Sequence, residues 1–129
     1  GVFVLGAQHT DPAGLDLALP RAGERHVFHE FNLRHNGPPV VCVALRVLDD
    51  GAGGWRDVRL SAGGLYNRAV HLPATARLLG NGWTLPGIAE LRETIAREVD
   101  VLPTPVFSAA FKLQIAATLV HRAAREVRG

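Results

Sequence analysis

Residues 40–48 read Val-Val-Cys-Val-Ala-Leu-Arg-Val-Leu, a nearly unbroken apolar run rich in β-branched side chains. Such a run, bounded by turn residues on both sides, predicts a central strand covered on both faces. Before it, His35-Asn-Gly-Pro-Pro39 cannot continue a ladder, because glycine and paired prolines break one. After it, Asp49-Asp-Gly-Ala-Gly-Gly54 has the composition of a hairpin loop. Residues 55–60 then return as the partner strand, with Val58 and Leu60 inward, and Gly63-Gly64 ends it. Residues 26–34 alternate as a further strand. Val27, His29, Phe31 and Leu33 share its more apolar face; Phe28, Glu30 and Asn32 share the other.

Shorter signals precede these. Residues 2–5 are apolar, and residues 15–19 alternate around Asp16 and stop at Pro20, as a short strand would. The pattern changes after Gly64. Residues 72–79 predict a short helix starting near Pro73 and stopped by Gly80. Ile88, Leu91, Ile95 and Val99 recur on one helical face, with Glu93 and Arg97 as an exposed i,i+4 pair. Pro103 and Pro105 force an extended loop, and Ser108 is placed to cap a last helix. Phe111, Ile115 and Leu119 are expected on the buried stripe of that helix, with Lys112, Arg122 and Arg125 wet. Strands followed by segregated helices predict an α+β fold, a sheet with helices on one face.

At 129 residues the chain fits a single domain, residues 1–129, with one core. Its net charge of +2 comes from scattered arginines, with a cluster only at Arg122, Arg125 and Arg128, where cations suit a helix C-terminus. No nucleic-acid partner is expected on that pattern. No apolar run approaches the roughly 20 residues that span a bilayer, so no membrane partner is expected. No export leader is recognisable. Cys42 is the one cysteine and sits in an apolar run, so a buried thiol is expected, in a reducing cytoplasm. The chain holds no methionine, so Gly1 either follows a removed initiator or was cut from something longer.

No phosphate loop, dinucleotide fingerprint or nucleophile elbow is present. His26 and His29, three apart on a strand, point to opposite faces, so no metal site is expected. His29, Glu30 and His35 form the one local cluster with acid–base potential. Gly63 and Gly64 are read as a strand end that needs positive φ or close packing, or as a backbone approach to a flat ligand.

In order and spacing, several stretches resemble the C-terminal domain of the FAD-binding (medium) subunit of molybdenum hydroxylases, the carbon monoxide dehydrogenase and xanthine dehydrogenase group. Residues 2–20 resemble the exit from that family's FAD-binding domain. Residues 28–34 and 40–48 resemble its first long strand pair. Gly63-Gly64 with residues 68–79 resembles its glycine pair followed by a helix. Ser108-Ala-Ala-Phe-Lys112 with Leu119-Val-His-Arg122 resembles its closing helix. The resemblance implies residues 21–129 as the family domain, an antiparallel sheet of three to four strands packed on three helices. It implies FAD in the full-length subunit but none bound by this chain alone. It further implies an FAD-binding domain and molybdenum and iron–sulfur subunits as partners in an electron-transfer oxidoreductase. By the resemblance His29, Asn36, Gly63 and Gly64 would lie toward the flavin, with His29 where the family often has lysine and Asn36 or Gly37 where it has aspartate. The alternative is a free-standing, cofactor-independent isomerase, cyclase or condensing enzyme. Its small-molecule substrate would occupy the former flavin face, with His29 or His35 as acid–base catalyst.

Overall fold

The computed structural model describes residues 2–4, 23–32, 39–51, 54–80 and 82–128. Its strands are β1 (Val2–Val4), β2 (Glu24–Asn32), β3 (Pro39–Asp49), β4 (Trp55–Gly63) and β5 (Val70–His71). They form one sheet in chain order, each neighbouring pair antiparallel. The helices α1 (Pro73–Leu79), α2 (Ile88–Glu98) and α3 (Ala109–Arg128) follow. The α+β reading and the three long strands are as expected. β1 grows from the apolar run at residues 2–5, and β5 adds two residues at the far edge. The strand expected over residues 15–19 lies outside the described residues.

β3 is the axis of the sheet, paired along its length with β2 and β4. Its cover differs from the expectation. Val41, Val43, Leu45 and Val47 are fully buried on the helix side, but Val40, Cys42, Ala44 and Arg46 on the other side are only half-buried. The strand is apolar on both faces, yet all three helices come after it and pack on one. Each large side chain taken out of water on that face stabilises the fold by about 1.5–3 kcal/mol.

Helix α3 departs further from the reading. Its buried stripe is Lys112, Ala116, Ala117, Leu119, Val120, Ala123, Ala124 and Val127. Phe111 is 39% exposed and Lys112 5%. The stripe is rotated because the helix meets the sheet through alanines, which a search for large apolar residues passes over. Ser108 does cap α3: its Oγ accepts from the Phe111 N–H at 3.1 Å.

Leu72, the residue before helix α1, offers no side-chain cap. The carboxylate of Glu98, at the end of α2, takes that role. It accepts from the Ala74 N–H at 2.6 Å, the Thr75 N–H at 2.9 Å and the Thr75 hydroxyl at 2.6 Å. A negative charge is favoured at a helix N-terminus by the orphan donors and the dipole. One side chain thus joins two helices. Glu98→Ala would strand the fully buried Thr75 hydroxyl and should lower unfolding free energy by about 2 kcal/mol. Urea denaturation checks this, with Glu98→Gln expected to lose less.

Candidate functional site

Of the residues singled out from sequence, the described ones are His29 within β2, Gly63 at the end of β4 and Gly64 just after it; that end of β4 lies beside the end of β2 at Asn32 and the start of β3 at Pro39. His35 and Asn36, in the segment joining Asn32 to Pro39, lie outside the described residues. A register shift between Phe31 and Asn32 marks a bulge at the end of β2, a device that re-aims side chains.

His29 faces the helices. It is 4% exposed, and its Nε2 lies 2.7 Å from Oε2 of Glu126 on α3. That contact ties the middle of β2 to the last turn of α3. Its neighbour Glu30 faces the opposite side and stands in register with Cys42 and Gly63 across three strands. A Cβ on Gly63 would sit 2.9 Å from Cys42 Sγ, so the glycine makes room for the thiol. Burial pushes the Cys42 thiol up from its usual value; the Glu30 charge adds to the rise, and a backbone hydrogen bond from Gly63 opposes it. The thiol is thereby kept protonated and poorly nucleophilic.

Gly64 has φ of +89°, and a Cβ there would collide with the Val40 carbonyl oxygen. The glycine pair therefore follows the close-packing reading, for two separate reasons. Behind it lies a residue the sequence reading missed. Lys112 Nζ donates to the Gly64 carbonyl at 2.9 Å and to the Leu102 carbonyl at 2.8 Å. The Leu102 N–H in turn donates to the Leu65 carbonyl at 2.8 Å. The chain's sole lysine fastens the end of β4 and the proline-bearing loop to the first turn of α3. Its being the one lysine, four residues after the capping Ser108, was the available signal. Phe111, freed from the core, stacks on Phe107 with ring centres 5.2 Å apart and meets Phe31 edge-on at 6.1 Å.

This arrangement can be tested against a flavin. His29 is turned away from the outer face and engaged by Glu126, the space beside Gly63 holds a sulfur, and the space beside Gly64 holds backbone. The described members of the proposed flavin set, His29, Gly63 and Gly64, are thus each engaged or crowded by the chain's own atoms. Asn32 is the exception in polarity: its Oδ1 is buried without a hydrogen-bond partner among the described residues, while its Nδ2 lies 3.4 Å from Glu30. Among the described residues no group of three His, Cys, Asp or Glu side chains could hold a metal ion. No described helix is long and apolar enough to cross a membrane.

The family model described as the CO dehydrogenase flavoprotein C-terminal domain matches residues 26–127, from β2 to the end of α3. Similar solved structures include reconstituted CO dehydrogenase from Oligotropha carboxidovorans, at 11% identity and a TM-score of 0.72 over 85% of this chain and 38% of that one. Carbon monoxide dehydrogenase from Hydrogenophaga pseudoflava, in a form lacking the Mo-pyranopterin moiety of its molybdenum cofactor, matches at 15% identity and 0.69 over 83% and 38%. Quinoline 2-oxidoreductase from Pseudomonas putida 86 matches at 16% and 0.66 over 80% and 36%. At these identities the likeness is one of fold, and the chain spans little more than a third of each neighbour. No curated protein matches the sequence at a significant level.

Two measurements check the geometry. Lys112→Met keeps the volume but takes the donor from the Gly64 and Leu102 carbonyls, and should lower unfolding free energy by about 1–3 kcal/mol in urea. Cys42, with its thiol raised, should react with a disulfide reagent at pH 8 more slowly than free cysteine, and at the ordinary rate once the chain is unfolded. A raised native value means that stability is fully present below the unfolded thiol's pKa and is lost as pH rises through the native one.

Proposed function

The chain belongs to the CO dehydrogenase flavoprotein C-terminal domain family, and from that membership we propose that it is the C-terminal domain of a molybdenum-hydroxylase-type FAD subunit. In this reading it acts as a rigid body that closes over a flavin held elsewhere in the subunit and docks partner domains. The observation that carries the proposal is the extent of the match, which runs from β2 to the end of α3 rather than through one motif. The glycine pair and Lys112 hold the sheet end still without needing a ligand there, as suits a cover.

When bound in the full-length subunit, FAD would supply the electron relay between a molybdenum and iron–sulfur centre and an external acceptor. This chain's own residues would shape the wall beside it. The segment from Glu30 through Asn32 toward His35 and Asn36 is the part proposed to approach the ring. The unsatisfied Asn32 oxygen and the bulge beside it favour that end of the sheet over any other. The free-standing enzyme reading has no comparable support. Its first catalyst, His29, is buried against α3 and engaged by Glu126, and its second, His35, lies outside the described residues.

Adding FAD to the purified chain should leave the flavin's absorbance and fluorescence unchanged. Adding the chain to the FAD-binding portion of a subunit of this family should give co-elution and a change in flavin fluorescence. Tight FAD binding by the chain alone, or no association with the FAD-binding portion or the remaining subunits, would sink the proposal.

A further inference from the structure

The outer face of the sheet, away from the helices, carries an arrangement that the flavoprotein reading does not use. His26, Arg46 and Arg59 stand in one row across β2, β3 and β4, each directly opposite the next in the register. Neighbouring strands lie only about 4.8 Å apart, and like charges directly opposite one another disfavour pairing. The nearby carboxylates relieve this only partly. Glu24 is 4.0 Å from Arg46, and Asp57 is 3.9 Å from Arg46 and 3.5 Å from Arg59, all longer than a good hydrogen bond. Glu24 meets His26 at 2.8 Å through Oε1, and its Oε2 is the atom near Arg46.

One step along the strands, the row changes to Ala44 and Ser61, with His71 of β5 opposite Ser61. These small side chains leave a hollow of about 490 Å³ beside the basic row. His26, Arg46, Arg59, Ser61 and His71 line it, and Pro73 and Ala76 of α1 wall it where β4 runs past the short β5. The volume is that of a small-molecule site, with a few convergent polar groups on an otherwise apolar wall. Among the described residues, the side chains of Arg46, Arg59, Ser61 and His71 make no hydrogen bond. Both guanidinium groups thus have only loose ion pairs to Glu24 and Asp57, at 3.5–4.0 Å, and keep donors for a stronger acceptor in the hollow.

We propose that this hollow binds a phosphate-type oxyanion carried by a small molecule. Arg46 and Arg59 form the clamp, Ser61 and His71 are further donors, and the wall at Pro73 and Ala76 receives the organic part. Guanidinium groups present planar forks that match phosphate oxygens, and the bonds they make are charge-assisted. A dianion between the two arginines would offer both of them short hydrogen bonds, where Asp57 reaches them only at 3.9 and 3.5 Å. A monocarboxylate carries half the charge and fewer oxygens, so it would satisfy one arginine and not both. The hollow lies where the outer face meets the edge of β4 and α1, and the proposal stands apart from the proposed docking role.

Calorimetric titration of the full chain with inorganic phosphate, acetate and phenyl phosphate tests it. The expected order is phenyl phosphate tightest, then phosphate, with acetate weakest. Arg46→Gln and Arg59→Gln should each weaken phosphate about tenfold or more, the weight of one charge-assisted hydrogen bond. Arg122→Gln, on the exposed side of α3, should leave binding unchanged. Circular dichroism and melting curves confirm that the variants fold, and phosphate should raise the melting temperature of the parent chain but not of the double variant. No phosphate binding to the parent chain, equal binding of phosphate and acetate, or undiminished binding by folded Arg46→Gln and Arg59→Gln would overturn the site. Equal binding of phosphate and phenyl phosphate would overturn the place given to the organic part.

Discussion

Helix α3 reaches β2 and β3 through four fully buried alanines, Ala116, Ala117, Ala123 and Ala124. Small side chains let the helix backbone come close to the sheet, so that the valines and leucine on the inner face of β3 fill the space the alanines leave. Interiors packed at crystal-like density do not tolerate a change in that spacing. The seat therefore dictates where α2 can lie against α3. Through the Glu98 carboxylate, the position of α2 in turn dictates where α1 begins.

An alanine seat alone is slippery, because one turn of helix resembles the next. Polar ties at both ends remove the ambiguity. At the start of α3, Lys112 reaches two carbonyls that only one register brings within range. At its end, His29 meets Glu126, and Arg25 donates to the Val127 carbonyl at 2.5 Å and to Asp49 at 2.6 Å. A cation at a helix C-terminus satisfies an orphan carbonyl and complements the dipole. The same ties decide what these residues are free to do. A histidine and a lysine that would draw attention as chemistry in a one-dimensional reading are occupied in holding a helix in place.

The order of elements, the hairpin around Asp49 to Gly54 and the cap at Ser108 were legible because each rests on local signals: alternation, turn composition and a hydroxyl before a helix. The orientation of α3 was not, because Phe111 outweighs alanine in any hydrophobic count while the sheet selects for closeness rather than size. The role of Glu98 was hidden because its partners, Ala74 and Thr75, are more than twenty residues away in sequence. The placement of His29 was half legible. Alternation put it on the apolar face, but only the approach of α3 shows that Glu126 meets it there. For Gly63 and Gly64 the sequence offered packing or ligand approach, and a sulfur beside one and a carbonyl beside the other answer for packing.

The two faces of the sheet are built on opposite logic. Inside, every charged group that enters finds a partner within hydrogen-bond distance, as low-dielectric surroundings require. Outside, basic groups were counted as scattered because residues 26, 46 and 59 are far apart in sequence. Yet the hairpin register already sets Arg46 opposite Arg59 once Leu48 is opposite Asp57. There the two guanidinium groups are met only by the Glu24 and Asp57 carboxylates at 3.5–4.0 Å, beyond a good hydrogen bond. An anion in the hollow would give both arginines the short, charge-assisted contacts that those carboxylates do not.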